Sequence, residues 1–108
     1  GGFLHSSRVA AWFRLADLAA ILKLEPVAFE FAGTAFKLKR PTLVDLVEAM
    51  EANAEGNLYA RAWALCRHLM DAEGRPVFAD ISAAYACPVA LAVRASALID
   101  DLYSEGSN

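Results

Sequence analysis

Cysteine is nearly absent from this chain, which carries two among its 108 residues, Cys66 and Cys87. A disulfide-built secreted domain of this size would use about four or more, so the cytoplasm is the expected compartment. Histidine is as scarce, with His5 and His68 alone. Cys66 and His68 sit two positions apart on an expected helix and point to nearly opposite sides, so no metal-ligand set is expected. The six glycines are dispersed and form no phosphate-binding loop. No Ser or Cys nucleophile motif surrounds His68, and Asp100 and Asp101 diverge on a helix end instead of forming an acid–base pair. These absences argue against an enzyme and against any cofactor.

Long apolar runs are missing too. The best, Val9 to Leu24, is interrupted by Arg14, Asp17 and Lys23. A spanning helix needs about 20 mostly uncharged residues, and no small-residue cleavage pattern follows the run, so neither a membrane span nor a signal peptide is expected. Clustered cations are lacking as well: 10 basic residues face 13 acidic ones, for a net charge of −3. Apart from Lys37, Lys39 and Arg40 the basic residues are scattered, unlike the basic face of a nucleic-acid binder. Gly1-Gly2 lacks a start methionine, and residues 1–7, including His5, are given no functional weight.

What the chain does have is apolar helix-forming sequence. Its hydrophobic fraction is 57%, against about 45–50% for an ordinary globular chain. Alanine, the best helix former, supplies much of the excess. The expectation is a mainly α fold of four to five helices in one domain, with one β-hairpin near the N-terminal third.

Ala11, Leu15, Leu18 and Ile21-Leu22 recur at helical spacing, which predicts a first helix over residues 8–24, ended by Pro26. Phe29, Phe31, Phe36 and Leu38 then alternate with small or charged residues around Ala32-Gly33-Thr34, the pattern of a hairpin. Thr42 with Asp45 three residues on resembles a capping box. It opens a helix with an apolar stripe, Leu43, Leu46, Val47 and Met50, beside an acidic one, Asp45, Glu48, Glu51 and Glu55. That acidic stripe reads as a solvated face, or as a surface that steers a basic partner helix.

Asn57 is the expected cap of the next helix. Leu58, Ala62, Leu65, Cys66 and Leu69 line one face of it; Arg61, Arg67 and His68 lie towards the other. Asp71-Ala72-Glu73-Gly74 closes it with a glycine C-cap. Asp80 caps a short helix through Tyr85, and Pro88 opens the last one. Val89, Leu91, Ala92, Val93, Leu98, Ile99 and Leu102 give that last helix more apolar surface than one stripe, so it is either the centre of the core or a docking surface. Ser104–Asn108 reads as a polar tail. Trp12, Trp63 and Tyr103 are core residues or interface anchors, which the sequence leaves open.

Three segments resemble the tail assembly chaperones of long-tailed bacteriophages and prophages. They are Phe29-Glu30-Phe31 with Phe36-Lys37-Leu38-Lys39-Arg40-Pro41-Thr42-Leu43-Val44-Asp45, Leu69-Met70-Asp71-Ala72-Glu73-Gly74-Arg75-Pro76-Val77-Phe78, and Ile99-Asp100-Asp101-Leu102-Tyr103. Their order and spacing match over about 80 residues. The resemblance implies a protein that binds the aggregation-prone tape-measure protein, assists assembly of tail-tube subunits around it, and is absent from the finished virion. It also implies a host-cytoplasm location and a longer, frameshifted form as a further partner.

The residues expected to contact a partner, or a second copy of the chain, are Leu91, Ala95, Leu98 and Leu102 of the last helix, with Glu48 and Glu51 of the acidic stripe. Two alternatives stay open: a small helical DNA-binding regulator, with Leu58 to Asp71 as its recognition helix, and a structural tail or capsid component.

Overall fold

Alternating apolar residues, a tight turn and a chain reversal combine first into a sheet. The structure, a computed structural model, describes residues 24–105; the helix expected over 8–24 lies outside the described residues except for Leu24. Strands β1 (Val27–Phe31) and β2 (Thr34–Leu38) pair antiparallel, with Phe29 opposite Phe36. Their rings stack at 5.5 Å. The two residues between the strands, Ala32 and Gly33, have φ of 51° and 78°. Positive φ at both positions is the turn whose twist matches paired strands. Glycine adopts it freely, whereas alanine is strained there by about 1 kcal/mol. Ala32→Asn is therefore expected to stabilise the protein by about 0.5–1 kcal/mol, read as a higher midpoint in urea.

Helix α1 (Leu43–Ala54) starts where Thr42 and Asp45 complete a capping box. Helix α2 (Asn57–His68) begins after Gly56, not at an Asn57 cap: Gly56 has φ of 114° and supplies no side-chain bond. The chain then leaves the helix earlier than its apolar spacing predicts. Leu69–Asp71 is a third strand, β3, paired antiparallel with β2 through Leu38–Leu69 and Phe36–Asp71. Lys39 N–H donates to the His68 carbonyl at 2.9 Å and carries the ladder one step further.

Asp71 to Gly74 is accordingly a turn and not a helix C-cap. The Asp71 side chain accepts from the N–H groups of Glu73 and Arg75, both at 2.9 Å, and Gly74 has φ of 82°. Val77 N–H returns to the Leu69 carbonyl, so residues 75–77 lie beside β3. Leu65 and Leu69 keep helical spacing, which is why sequence periodicity ran past the true end. Pairing with β2 supplies the backbone partners that win Leu69 for the sheet.

Asp80 caps the short helix α3 (Ile81–Ala84) by accepting from Ala83 N–H. Helix α4 (Val89–Glu105) is the longest among the described residues, at 17 residues, and takes in Ser104 and Glu105 of the expected polar tail. Among the described residues the fold is thus four helices and one three-stranded antiparallel sheet, ordered β1-β2-β3. It is mixed and mostly helical.

The core joins Leu38 of the sheet, Ala62, Leu65 and Leu69 around the end of α2, Ala84 of α3, and Leu91, Ala95, Ile99 and Leu102 of α4. Fully burying a leucine or isoleucine contributes about 1.5–3 kcal/mol, and Leu38, Leu65, Leu69 and Ile99 are all in that position. No helix among the described residues is long and apolar enough to cross a membrane.

Candidate protein-binding surface

The capping box decides which way α1 faces. Thr42 Oγ1 accepts from Asp45 N–H at 3.3 Å, and Asp45 Oδ2 accepts from Thr42 N–H at 2.9 Å. The same carboxylate takes Lys39 Nζ and an Arg67 guanidinium nitrogen, each at 2.6 Å. Arg67 also binds Glu48 and lies 5.2 Å from the centre of the Trp63 ring. Asp45 is only 1% exposed. Burial alone would raise its pKa, but the bonds from Lys39, the Thr42 backbone and Arg67 outweigh that and hold it at about 2. The expectation that Asp45 belongs to a solvated acidic face is corrected: it is the hub that ties α1 to α2.

Asp45 is adjoined by a second buried group. His68, expected on the surface, is 0% exposed. Its Nδ1 lies 2.8 Å from the Lys39 carbonyl, which can only accept, so Nδ1 carries the proton. Nε2 then accepts from the Tyr103 hydroxyl at 2.7 Å. Burial lowers the His68 pKa, partly offset by the bond to Lys39 and the charge of Asp45. Burial, followed by the charge of Asp45, raises that of Tyr103. Every nitrogen of His68 and both oxygens of Asp45 are engaged, so the network fastens the end of β2, α1, α2 and α4 together and turns no free group towards a substrate. Cys66 is half-buried; its thiol donates to the Phe78 carbonyl at 3.6 Å and is pushed up in pKa by burial and by Asp80. Among the described residues no three His, Cys, Asp or Glu side chains are placed to hold a metal ion.

Fastening α1 by Asp45, with Ala52 two turns later on the same side, forces its apolar residues outward. Leu43, Val44, Leu46, Val47 and Met50 are between 45% and 76% exposed. No family model, curated protein or solved structure matches this chain. The surface itself therefore carries the functional argument. A contiguous exposed apolar arc of this kind is a candidate interaction surface.

The residues expected to contact a partner separate in the structure. Leu91, Ala95 and Leu102 are core, and Leu98 is half-buried against it. That corrects the reading of surplus apolar surface on their stripe: α4 folds that stripe onto α2. Glu48 is held by Arg67, and Glu51 is exposed beside the apolar arc. Leu58, expected on the inner face of α2, is 77% exposed.

Helices α1 and α4 both pack on α2 and leave a groove of about 630 Å³ between them. Its walls include Leu46 and Met50 from α1 and Ser96, Ile99 and Tyr103 from α4, with Trp63 of α2 beneath. The apolar arc and the groove form one continuous surface.

Proposed function

We propose that this chain is a tail assembly chaperone of the long-tailed phage type, which binds the tape-measure protein during tail assembly. The observation that carries the reading is the exposed apolar arc of α1. A partner that is itself long, helical and apolar needs such a surface to stay in solution, and helix-in-groove recognition supplies it through apolar contacts on successive turns. The three sequence segments that resemble the family add to this. They fall on the hairpin and capping box, on the β3 turn, and on the end of α4.

The regulator alternative is weakened by the placement of its cations. Arg67 is engaged by Asp45 and Glu48, His68 is buried, and Arg61 lies 4.0 Å from Asp100. Phosphate binding needs free cations along one face.

Co-expression with the tape-measure protein of the same genome tests the reading. A stable soluble complex containing both chains is expected. If the tape-measure protein aggregates regardless and nothing is retained, the reading fails. Co-purification of the chain with finished particles would instead make it a structural component.

A further inference from the structure

Among the described residues β1 is an edge strand of the sheet. The register of the hairpin decides where its backbone groups point. Phe31 and Thr34 flank the two-residue turn and exchange both their hydrogen bonds, and the same inward pairing returns at Phe29–Phe36 and Val27–Leu38. The far side of β2 agrees with this alternation: Lys37 pairs with Met70, and Lys39 N–H donates to the His68 carbonyl at 2.9 Å. The N–H and C=O groups of Ala28 and Glu30 therefore point away from β2, along the open edge. No proline, lysine or bulge interrupts the strand from Val27 to Phe31. Those are the devices that usually keep an edge from pairing with another chain.

The open edge is complementary to itself. A second β1 turned about a two-fold axis at Phe29 brings its Glu30 opposite Ala28 and its Ala28 opposite Glu30. In that antiparallel register four hydrogen bonds use every outward group of both strands. Phe29 meets its own counterpart at the closer, non-hydrogen-bonded spacing, which extends the Phe29–Phe36 stack into a row of four rings. Val27, Phe29 and Phe31 pack on the core yet are only half-buried, and a strand alongside removes more of them from water. Charge favours the same register. Lys37 lies directly opposite Ala28, so the second copy's Glu30 follows on the same row, just beyond the Ala28 methyl. Two strand spacings are about 10 Å, a gap that a lysine and a glutamate close from either side. Neither Lys37 nor Glu30 has an ion-pair partner among the described residues. A slipped register that set Glu30 against Glu30 would oppose like charges.

We propose that this chain associates with a second copy of itself through β1, the two strands pairing antiparallel about Phe29 so that two three-stranded sheets become one of six strands. The contact is isologous: each copy offers the same edge, and the two-fold axis closes the assembly at a dimer. It stands apart from the chaperone reading and leaves the apolar arc of α1 free.

Sedimentation of the full chain between about 10 μM and 1 mM is expected to show a monomer–dimer equilibrium, since a contact this short associates weakly. Amide exchange followed by NMR reads the register. Phe29 and Phe31 bond to β2 and are protected at every concentration. Ala28 and Glu30 are expected to gain about tenfold protection at the concentrated end. Ala28→Pro removes an outward donor and no hairpin bond, so the monomer is expected to fold while dimer affinity falls at least about tenfold. Glu30→Lys and Lys37→Glu should each weaken the dimer about tenfold, and the two together should restore it.

A chain that stays monomeric up to about 1 mM overturns the proposal. So does a dimer that keeps its affinity in Ala28→Pro, or one in which Ala28 and Glu30 exchange as fast as in the monomer. A dimer lost in Met50→Glu but intact in Ala28→Pro would place the contact on the apolar arc of α1 and equally overturn it. If Ala28→Pro does not fold, the charge exchange decides, and a dimer indifferent to both single reversals sinks the pairing.

Discussion

Asp45→Ala is expected to lower the unfolding free energy by about 3 kcal/mol, measured by urea denaturation near neutral pH. Asp45 accepts from Lys39, Arg67 and the Thr42 backbone while buried to 1% exposure. Breaking a buried ion pair from one side costs about 3–5 kcal/mol when the remaining charge stays dry. Here the Lys39 and Arg67 side chains are 42% and 32% exposed and recover water, which puts the effect at the lower end.

The pH dependence gives an independent reading of the same group. Its folded pKa of about 2 lies below the ordinary 3.8. The unfolded chain therefore binds the proton first as pH falls. The stabilisation is full above about 4 and disappears as pH drops through the folded value, and a shift of that size is worth about 2 kcal/mol. Asp45→Asn keeps the shape and an acceptor for Thr42 N–H, so it should remove this acid limb while losing less stability than alanine. If Asp45→Asn unfolded in acid with the wild-type profile, the carboxylate would not be the group responsible.

His68→Ala is expected to cost about 3–4 kcal/mol. The imidazole is fully buried, so its loss opens a cavity, and it also leaves the Lys39 carbonyl and the Tyr103 hydroxyl without their partner. Tyr103→Phe removes only the hydroxyl and should cost about 1–2 kcal/mol, leaving Nε2 unpaired. Burial lowers the His68 pKa below 6.5. Neutral imidazole is favoured in the fold, so stability is full above 6.5 and declines as pH falls from there towards the folded value. Unfolding free energies across that interval should slope downward for the wild type and flatten in His68→Ala. An unchanged slope in the variant would place the titrating group elsewhere.

Much of the local structure was legible in the residues. Phe29, Phe31, Phe36 and Leu38 alternate with the period of a strand, and Gly33 marks their turn. Thr42 and Asp45 form both limbs of a capping box, and Asp80 caps α3. These features act over three or four residues, so neighbouring side chains alone specify them. The third strand escaped because Leu69 satisfies helical spacing just as well as strand pairing. Its assignment depends on Leu38, some thirty residues earlier, and no local pattern carries that information.

The candidate site was half legible. Leu43, Leu46, Val47 and Met50 were identifiable as one apolar stripe, and Glu51 as its acidic border. Which side of α1 faces the core was not. Apolar residues normally turn inward because burial removes them from water, and Leu91, Ala95 and Leu102 of α4 follow that rule, with Leu98 half-buried against them. On α1 that preference is overridden by a carboxylate that finds three charged or polar donors only in the interior. Lys39 and Thr42 are near neighbours of Asp45 in the chain, but Arg67 comes from 22 residues further on, in α2. The sequence by itself determined the hairpin, the capping box of Thr42 and Asp45 and the Asp80 cap, since those follow from residue identity and short spacing. Only the tertiary structure decided that Asp45 and His68 are buried, that α1 turns its leucines to solvent and that a groove opens beside α4, because each depends on partners brought together across the fold.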